Sequence, residues 1–313
     1  MNFMRIGRRY VDIVEAFSDH LRRSLPLRNL CAIQRKFSAT ESDLEQELLK
    51  QVFDESKRFF SLPLEEKMKL LHRENRGYTP LYAENLNPSS SSKGGSKESF
   101  YIGPLESISS HSNLNHWPSE EVLPSWRPTI ESYYERVLTA GKKLISLIAL
   151  ALNLDEDFFE KVGAFNPPMP FLRLLHYPGE LGLSDEEIFG ASAHSDYGMI
   201  TFLATDGVAG LQVCRDKSKQ PLVWEDVHHI NGALIVNIGD MTERWTNCLF
   251  RSTLHRVMST GRERYSMAFF LNPSADCVVE CLESCCSELT PPRFPPVRSG
   301  DYLGERFRLT YGS

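Results

Sequence analysis

Three residues of this chain have the types and spacing of a metal centre. His194 and Asp196 stand two apart in Ala193-His194-Ser195-Asp196. Along an extended strand, residues i and i+2 project to one face. One imidazole nitrogen and one carboxylate oxygen can therefore meet the same ion. His255, in the strand-like run Ser252-Thr253-Leu254-His255-Arg256-Val257, lies 59 positions beyond Asp196 and is the best third donor. Two histidines and one carboxylate make a facial ligand set suited to iron(II), with positions left open for O2. A structural zinc site would instead close all four of its positions. Each residue alone has a plainer reading: H-x-D triplets arise by chance, and a lone histidine can be a core residue bonded to a backbone carbonyl. The order and strand context of all three carry the metal reading.

Arg264-Tyr265-Ser266 follows, beginning nine residues after His255. Arg264 and Ser266 share a strand face. A guanidinium beside a hydroxyl is a good receptor for a carboxylate. A dicarboxylic acid could chelate iron with one end and hold Arg264 with the other, and 2-oxoglutarate has that shape. Arg264 alone would be read as a surface charge.

These residues need elements to position them. From Pro170 onward, short β-rich runs recur: Phe171–Tyr177, Met199–Thr205, Gly210–Cys214, Leu222–Val227, Ala233–Ile238, Thr253–Met258 and Tyr265–Leu271. Turn pairs such as Pro178-Gly179, Asp206-Gly207 and Asn231-Gly232 separate them. Seven such runs imply a sandwich, jelly roll or barrel. Helices come earlier. Ser42-Asp43-Leu44-Glu45 reads as a capping box for a helix with Leu44, Leu48, Val52 and Phe59 on one side. A second helix is predicted from Thr129 to about Leu152, with Ile130, Tyr133, Val137, Ile145 and Ile148 facing the core, and a short third one after Asp155. Between them, the Ser/Gly-rich run Ser89 to Ser96 reads as a surface loop, with a lid as the sharper alternative.

Composition narrows the function. The chain has 313 residues and a net charge of −6, so it carries no strong basic field to draw in nucleic acid or an anionic membrane. Leu147 to Leu152 is far too short an apolar run to span a bilayer. Seven cysteines, an odd number with four of them bunched near the end, do not read as a disulfide framework and fit a reducing compartment, so a cytoplasmic location is expected. Cys281, Cys285 and Cys286 offer one C-x3-C step but no separate second pair, so they do not read as a structural zinc site. Seven arginines in residues 1–36 suggest an organellar transit peptide, but Asp12, Glu15 and Asp19 oppose it.

With these motifs in hand, the chain resembles the plant-type branch of the 2-oxoglutarate/iron(II)-dependent dioxygenases, which includes isopenicillin N synthase and the flavonoid and gibberellin oxygenases. The resemblance runs from about Leu49 to Leu309. Arg76-Gly77-Tyr78, Lys97-Glu98-Ser99-Phe100, His194-Ser195-Asp196-Tyr197-Gly198, Asn237-Ile238-Gly239-Asp240, Glu243-Arg244-Trp245-Thr246-Asn247, the His255 run and Arg264-Tyr265-Ser266 carry it. It implies a mainly β fold with flanking helices and a double-stranded β-helix (jelly-roll) core. The expected divisions are an atypical segment 1–40, a helical region 41–165, the core 168–275 and a C-terminal extension 276–313.

The resemblance also implies iron(II) on His194, Asp196 and His255. 2-Oxoglutarate would sit on Arg264 and Ser266 with Tyr177 beside it, O2 would be the oxidant, and ascorbate a supporting reductant. The substrate would be a small organic molecule, of the specialised-metabolite or hormone kind. Phe100, Tyr197 and Phe270, apolar and next to motifs, are candidates to face it, with core packing as the plainer reading. Two departures stand out. Leu175 occupies the position where the family places an asparagine, so that cosubstrate contact is not carried over. The family's opening strands, of the types I-P-x-I-D-L and G-F-F-x-V-x-N-H-G, do not occur, and residues 1–40 read as replacement sequence that leaves a sheet edge uncovered. Two alternatives stay open at this point. One is an iron oxidase that does not use 2-oxoglutarate, since isopenicillin N synthase carries the same arginine and serine. The other is a form impaired by its altered N-terminus.

Overall fold

The structure is a computed structural model and describes residues 30–33, 39–84, 95–105, 114–179 and 189–311. Two antiparallel sheets form its centre. The larger is built from β1 (Leu30–Ile33), β2 (Gly77–Thr79), β3 (Glu98–Ile102), β4 (Phe171–Tyr177), β6 (Ile200–Thr205), β9 (Leu234–Ile238) and β11 (Arg264–Leu271). Its seven strands lie in the order β1-β9-β6-β11-β4-β3-β2. The smaller is built from β5 (Phe189–His194), β7 (Leu211–Cys214), β8 (Trp224–Asp226) and β10 (His255–Met258), in the order β5-β10-β7-β8. This is the expected jelly roll, with helices outside it.

Period-two alternation gives the large sheet two different faces. On β11, Tyr265, Met267, Phe269 and Leu271 turn outward to the main core. Arg264, Ser266, Ala268 and Phe270 turn inward to the cavity between the sheets. The outer face is covered by α1 (Ala39–Phe60) and α2 (Trp126–Ala151). Val52 and Phe59 of α1 and Ile130, Ile145 and Ile148 of α2 are buried there, as their helical spacing predicts. Tyr134 packs edge-on against Phe269 at 5.0 Å. Burying that apolar surface is the main stabilising term. Among the described residues, no helix is long and apolar enough to cross a membrane.

Several expectations shift in detail. α1 begins at Ala39, so Ser42 lies within its first turns and does not open it. α2 begins at Trp126 and not at Thr129, with Pro128 in the first turn, where its missing N–H costs no helical bond. The region 41–165 is not purely helical: β2 and β3 extend the large sheet. β1 pairs with β9, Leu30 opposite Asn237 through Ile33 opposite Leu234, so the edge expected to stand open carries a strand from the N-terminal segment. Most of the Ser89 to Ser96 loop, and with it the lid reading, falls outside the described residues, as does most of segment 1–40. In the C-terminal part, α3 (Ser299–Tyr311) returns to the mouth of the jelly roll.

Candidate active site

Within the smaller sheet β5 pairs with β10, and the register sets His194 directly opposite His255. Their ring centroids are 4.3 Å apart. Asp196 is not on the strand. β5 ends at His194, and the carboxylate comes from the loop just beyond it. That loop is fixed from the other side. Asp240 N donates to Asp196 O at 2.8 Å and Met241 N donates to Gly198 O at 3.0 Å. The backbones pass so closely that a Cβ on Gly239 would stand 2.3 Å from Gly198 O, so only glycine fits there.

One donor atom from each of His194, Asp196 and His255 lies within 4.8 Å of the other two. Each Nε2 is 3.8 Å from Asp196 Oδ1, too far for a hydrogen bond and suited to donors that share an ion. The other nitrogens are occupied: His194 Nδ1 meets Ser192 O at 2.7 Å and His255 Nδ1 meets Thr253 O at 2.9 Å. A carbonyl can only accept, so each Nδ1 carries the proton and each Nε2 presents its lone pair inward. Burial, followed by the nearby His255, pushes the His194 pKa down to about 4. Burial works against the Asp196 carboxylate, but His255, His194, Asn237 and Thr201 hold its pKa below the ordinary value. Two inward imidazole nitrogens and one carboxylate oxygen gathered at one point fit an iron(II) ion.

Asn237 on β9 donates to Asp196 Oδ2 at 2.8 Å, leaving Oδ1 turned toward the histidines. Such outer partners orient ligands. Asn237→Ala is therefore expected to weaken iron(II) binding about 10- to 100-fold with little loss of fold. Metal titration of the variant checks this, and an unchanged affinity would refute the orienting role.

A cavity of about 670 Å³ runs from these three residues to Arg264 and Ser266. Arg264 is only 3% exposed, so it is no surface charge. Its Nη1 donates to Ser266 Oγ at 3.1 Å and its Nε to Val208 O at 3.3 Å. Tyr177 is the cross-strand partner of Arg264, and the guanidinium lies 5.0 Å from its ring centroid. Leu175 also lines the cavity and presents no polar group there.

A second cleft, of about 520 Å³, shares Arg173, His194, Asp196 and Phe270 with the first. Tyr197 lines it, together with Leu303 and Phe307 of α3. Phe100 does not. It is fully buried on the helix side of β3, 4.8 Å from the ring of Phe59 and 5.2 Å from that of Trp126. Alternation turns its neighbour Tyr101 to the cleft instead. Sequence reasoning missed Tyr101, Arg173, Glu84 and Lys97. Glu84 is bonded by both Arg173 Nη atoms at 3.0 and 2.7 Å and by Lys97 Nζ at 2.8 Å. Burial opposes its charge, but Arg173 and Lys97 hold its carboxyl well below the usual range. The available signal was parity: Arg173 precedes Tyr177 by four on the same strand, so it faces inward with it.

The 2OG-Fe(II) oxygenase superfamily model matches residues 168–273. A model described as the N-terminal part of the non-haem dioxygenase in morphine synthesis matches residues 36–120, so the family likeness begins before Leu49, the start expected from the sequence. The chain is 39% identical over 292 residues to kihadalactone A synthase LFS of Citrus sinensis, covering 90% of this chain and 86% of that protein. It is 36% identical over 304 residues to the 2-oxoglutarate-Fe(II) type oxidoreductase hxnY of Emericella nidulans, covering 91% and 84%. Among solved structures, a Neurospora crassa protein in complex with alpha-KG and thymine superposes with a TM-score of 0.80 at 25% identity, over 96% of this chain and 92% of that one. JOX2 in complex with 2OG, Fe and JA superposes with a TM-score of 0.73 at 25% identity, over 96% and 83%. With relatives this similar over nine-tenths of its length, the chain belongs to the 2-oxoglutarate- and iron(II)-dependent oxygenases.

Proposed function

We propose that His194, Asp196 and His255 hold the iron, and that Arg264 and Ser266 bind the far carboxylate of 2-oxoglutarate with Tyr177 alongside. On this reading, a small organic metabolite is oxidised in the cleft beside them. The observation that carries it is one continuous cavity with two inward imidazole nitrogens and a carboxylate at one end and a buried guanidinium–hydroxyl pair at the other. When bound, iron(II) and 2-oxoglutarate supply the oxidising chemistry, consuming O2 and releasing succinate and CO2.

The protein's own contribution is placement. The histidines keep their Nδ1 protons on backbone carbonyls, so they act as donors of lone pairs and need no acid–base role. Leu175, Leu203, Leu211, Ile235 and Val257 make the cavity wall apolar, which limits water there and strengthens the pull of Arg264 on an anion. Tyr197 and Phe270 face the cleft where a substrate would lie. Two plant relatives bear the names kihadalactone A synthase and azadirone synthase. Those names support a specialised metabolite as substrate, and a cytoplasmic enzyme fits the absence of a disulfide framework in the sequence.

The test is succinate formation from 2-oxoglutarate by purified protein with iron(II), ascorbate and O2. Slow turnover without substrate is expected, abolished by omitting the metal. A folded, iron-loaded protein that forms no succinate would overturn the 2-oxoglutarate assignment in favour of an iron oxidase independent of it or an impaired form.

A further inference from the structure

Five aromatic rings line the second cleft: Tyr101, Phe171, Tyr197, Phe270 and Phe307. Three of them carry a guanidinium. Arg173 lies 4.5 Å from the centroid of Tyr101, Arg306 lies 4.7 Å from that of Tyr197, and Arg76 lies 5.7 Å from that of Phe171. Lys97 adds a fourth cation through its bond to Glu84. The carboxylates among the described lining residues are Glu84, shared between Arg173 and Lys97, and Asp196 of the iron centre. Glu74, on an exposed turn, and Asp240, bonded to Tyr302, do not line the wall.

Such a lining selects on two properties at once. Flat rings favour a flat partner through offset or edge-on stacking. Arg173 in that wall, with Arg306 and Arg76 held against rings that line it, favours negative charge more strongly than it would in water. We infer that this cleft takes a planar, ring-bearing organic acid, with its ring among Tyr197, Phe270 and Phe307 and its carboxylate drawn to Arg173 and Arg306. The inference rests on the oxygenase reading of the neighbouring centre and names the substrate class for it.

The test is calorimetric titration of the protein loaded with iron(II) and saturating 2-oxoglutarate under nitrogen. Saturation keeps an added acid away from Arg264. The probes are 2-naphthoate, its uncharged counterpart 2-naphthamide, and the non-planar cyclohexanecarboxylate. 2-Naphthoate is expected to bind about tenfold more tightly than either of the others, the scale of one charge-assisted contact. Arg306→Gln, at a half-buried position that leaves the Glu84 pair intact, is expected to lower 2-naphthoate affinity about fivefold and to leave 2-naphthamide unchanged. Equal binding of acid and amide, loss of both to the same extent in Arg306→Gln, or no binding of any probe would overturn the inference. Iron binding and basal succinate formation by the same preparation separate the two levels: their persistence without a charge preference defeats only the substrate class, whereas their absence defeats the oxygenase centre itself.

Discussion

His255→Ala is expected to lose iron(II) and to reduce succinate formation more than ~10³-fold, because the metal supplies several kcal/mol of transition-state stabilisation. The remaining pair, His194 and Asp196, offers two donors where the centre needs three. The fold should survive. His255 is the first residue of the four-residue β10, and its side chain packs in no apolar core cluster. Metal content and succinate measured on the same folded sample give the answer. Full iron occupancy with normal turnover in the variant would remove His255 from the centre.

The second large effect is at the other end of the cavity. Arg264→Leu is expected to raise the KM for 2-oxoglutarate about 30- to 700-fold, the equivalent of about 2–4 kcal/mol for truncating one side of a buried charge pair. Iron binding without 2-oxoglutarate should not change, since Arg264 reaches Ser266 and Val208 and not the three donors. Arg264→Lys should recover part of the loss, because it restores the charge but not the planar fork. Equal weakening of iron and 2-oxoglutarate binding would mean that Arg264 acts only through the fold.

The reaction end of this enzyme was readable in the sequence because it depends on local spacing. Arg264 and Ser266 share a face of β11, and a two-residue offset is enough to see it. His194 and Asp196 were brought together correctly for a reason that is only half right. The strand stops at His194, and the approach of Gly239 to Gly198 O, with the hydrogen bond from Asp240 N, delivers the carboxylate. β5 itself left little signal, because Gly190-Ala191-Ser192-Ala193 carries no large or branched side chain. Its smallness has a cause. A Cβ on Gly190 would stand 2.6 Å from the Tyr177 ring.

The substrate end was not readable in the same way. Glu84, Lys97 and Arg173 converge from three distant positions and meet only once β3 has paired with β4. The same register explains Phe100. It pairs with Leu174, which faces the helices, whereas Tyr101 pairs with Arg173, which faces the cleft. Adjacency to a motif could not decide between them; the parity of the strand does.

β11 is hydrogen-bonded to a neighbour along both edges, β4 on one side and β6 on the other. Its amides from Ser266 onward should therefore be among the slowest in the molecule to exchange with solvent; Ser266 lies in the doubly paired stretch, and Arg264, at the strand's start, pairs with β4 alone. Leu303 and Phe307 reach the second cleft from α3, and the Phe307 ring packs edge-on against Phe171 of β4 at 6.2 Å. Phe270 of β11 lines that cleft as well, so the two halves of the site share one strand. Changes confined to α3 should therefore reshape one wall of the cleft while β11 keeps Arg264, Ser266 and Phe270 in register.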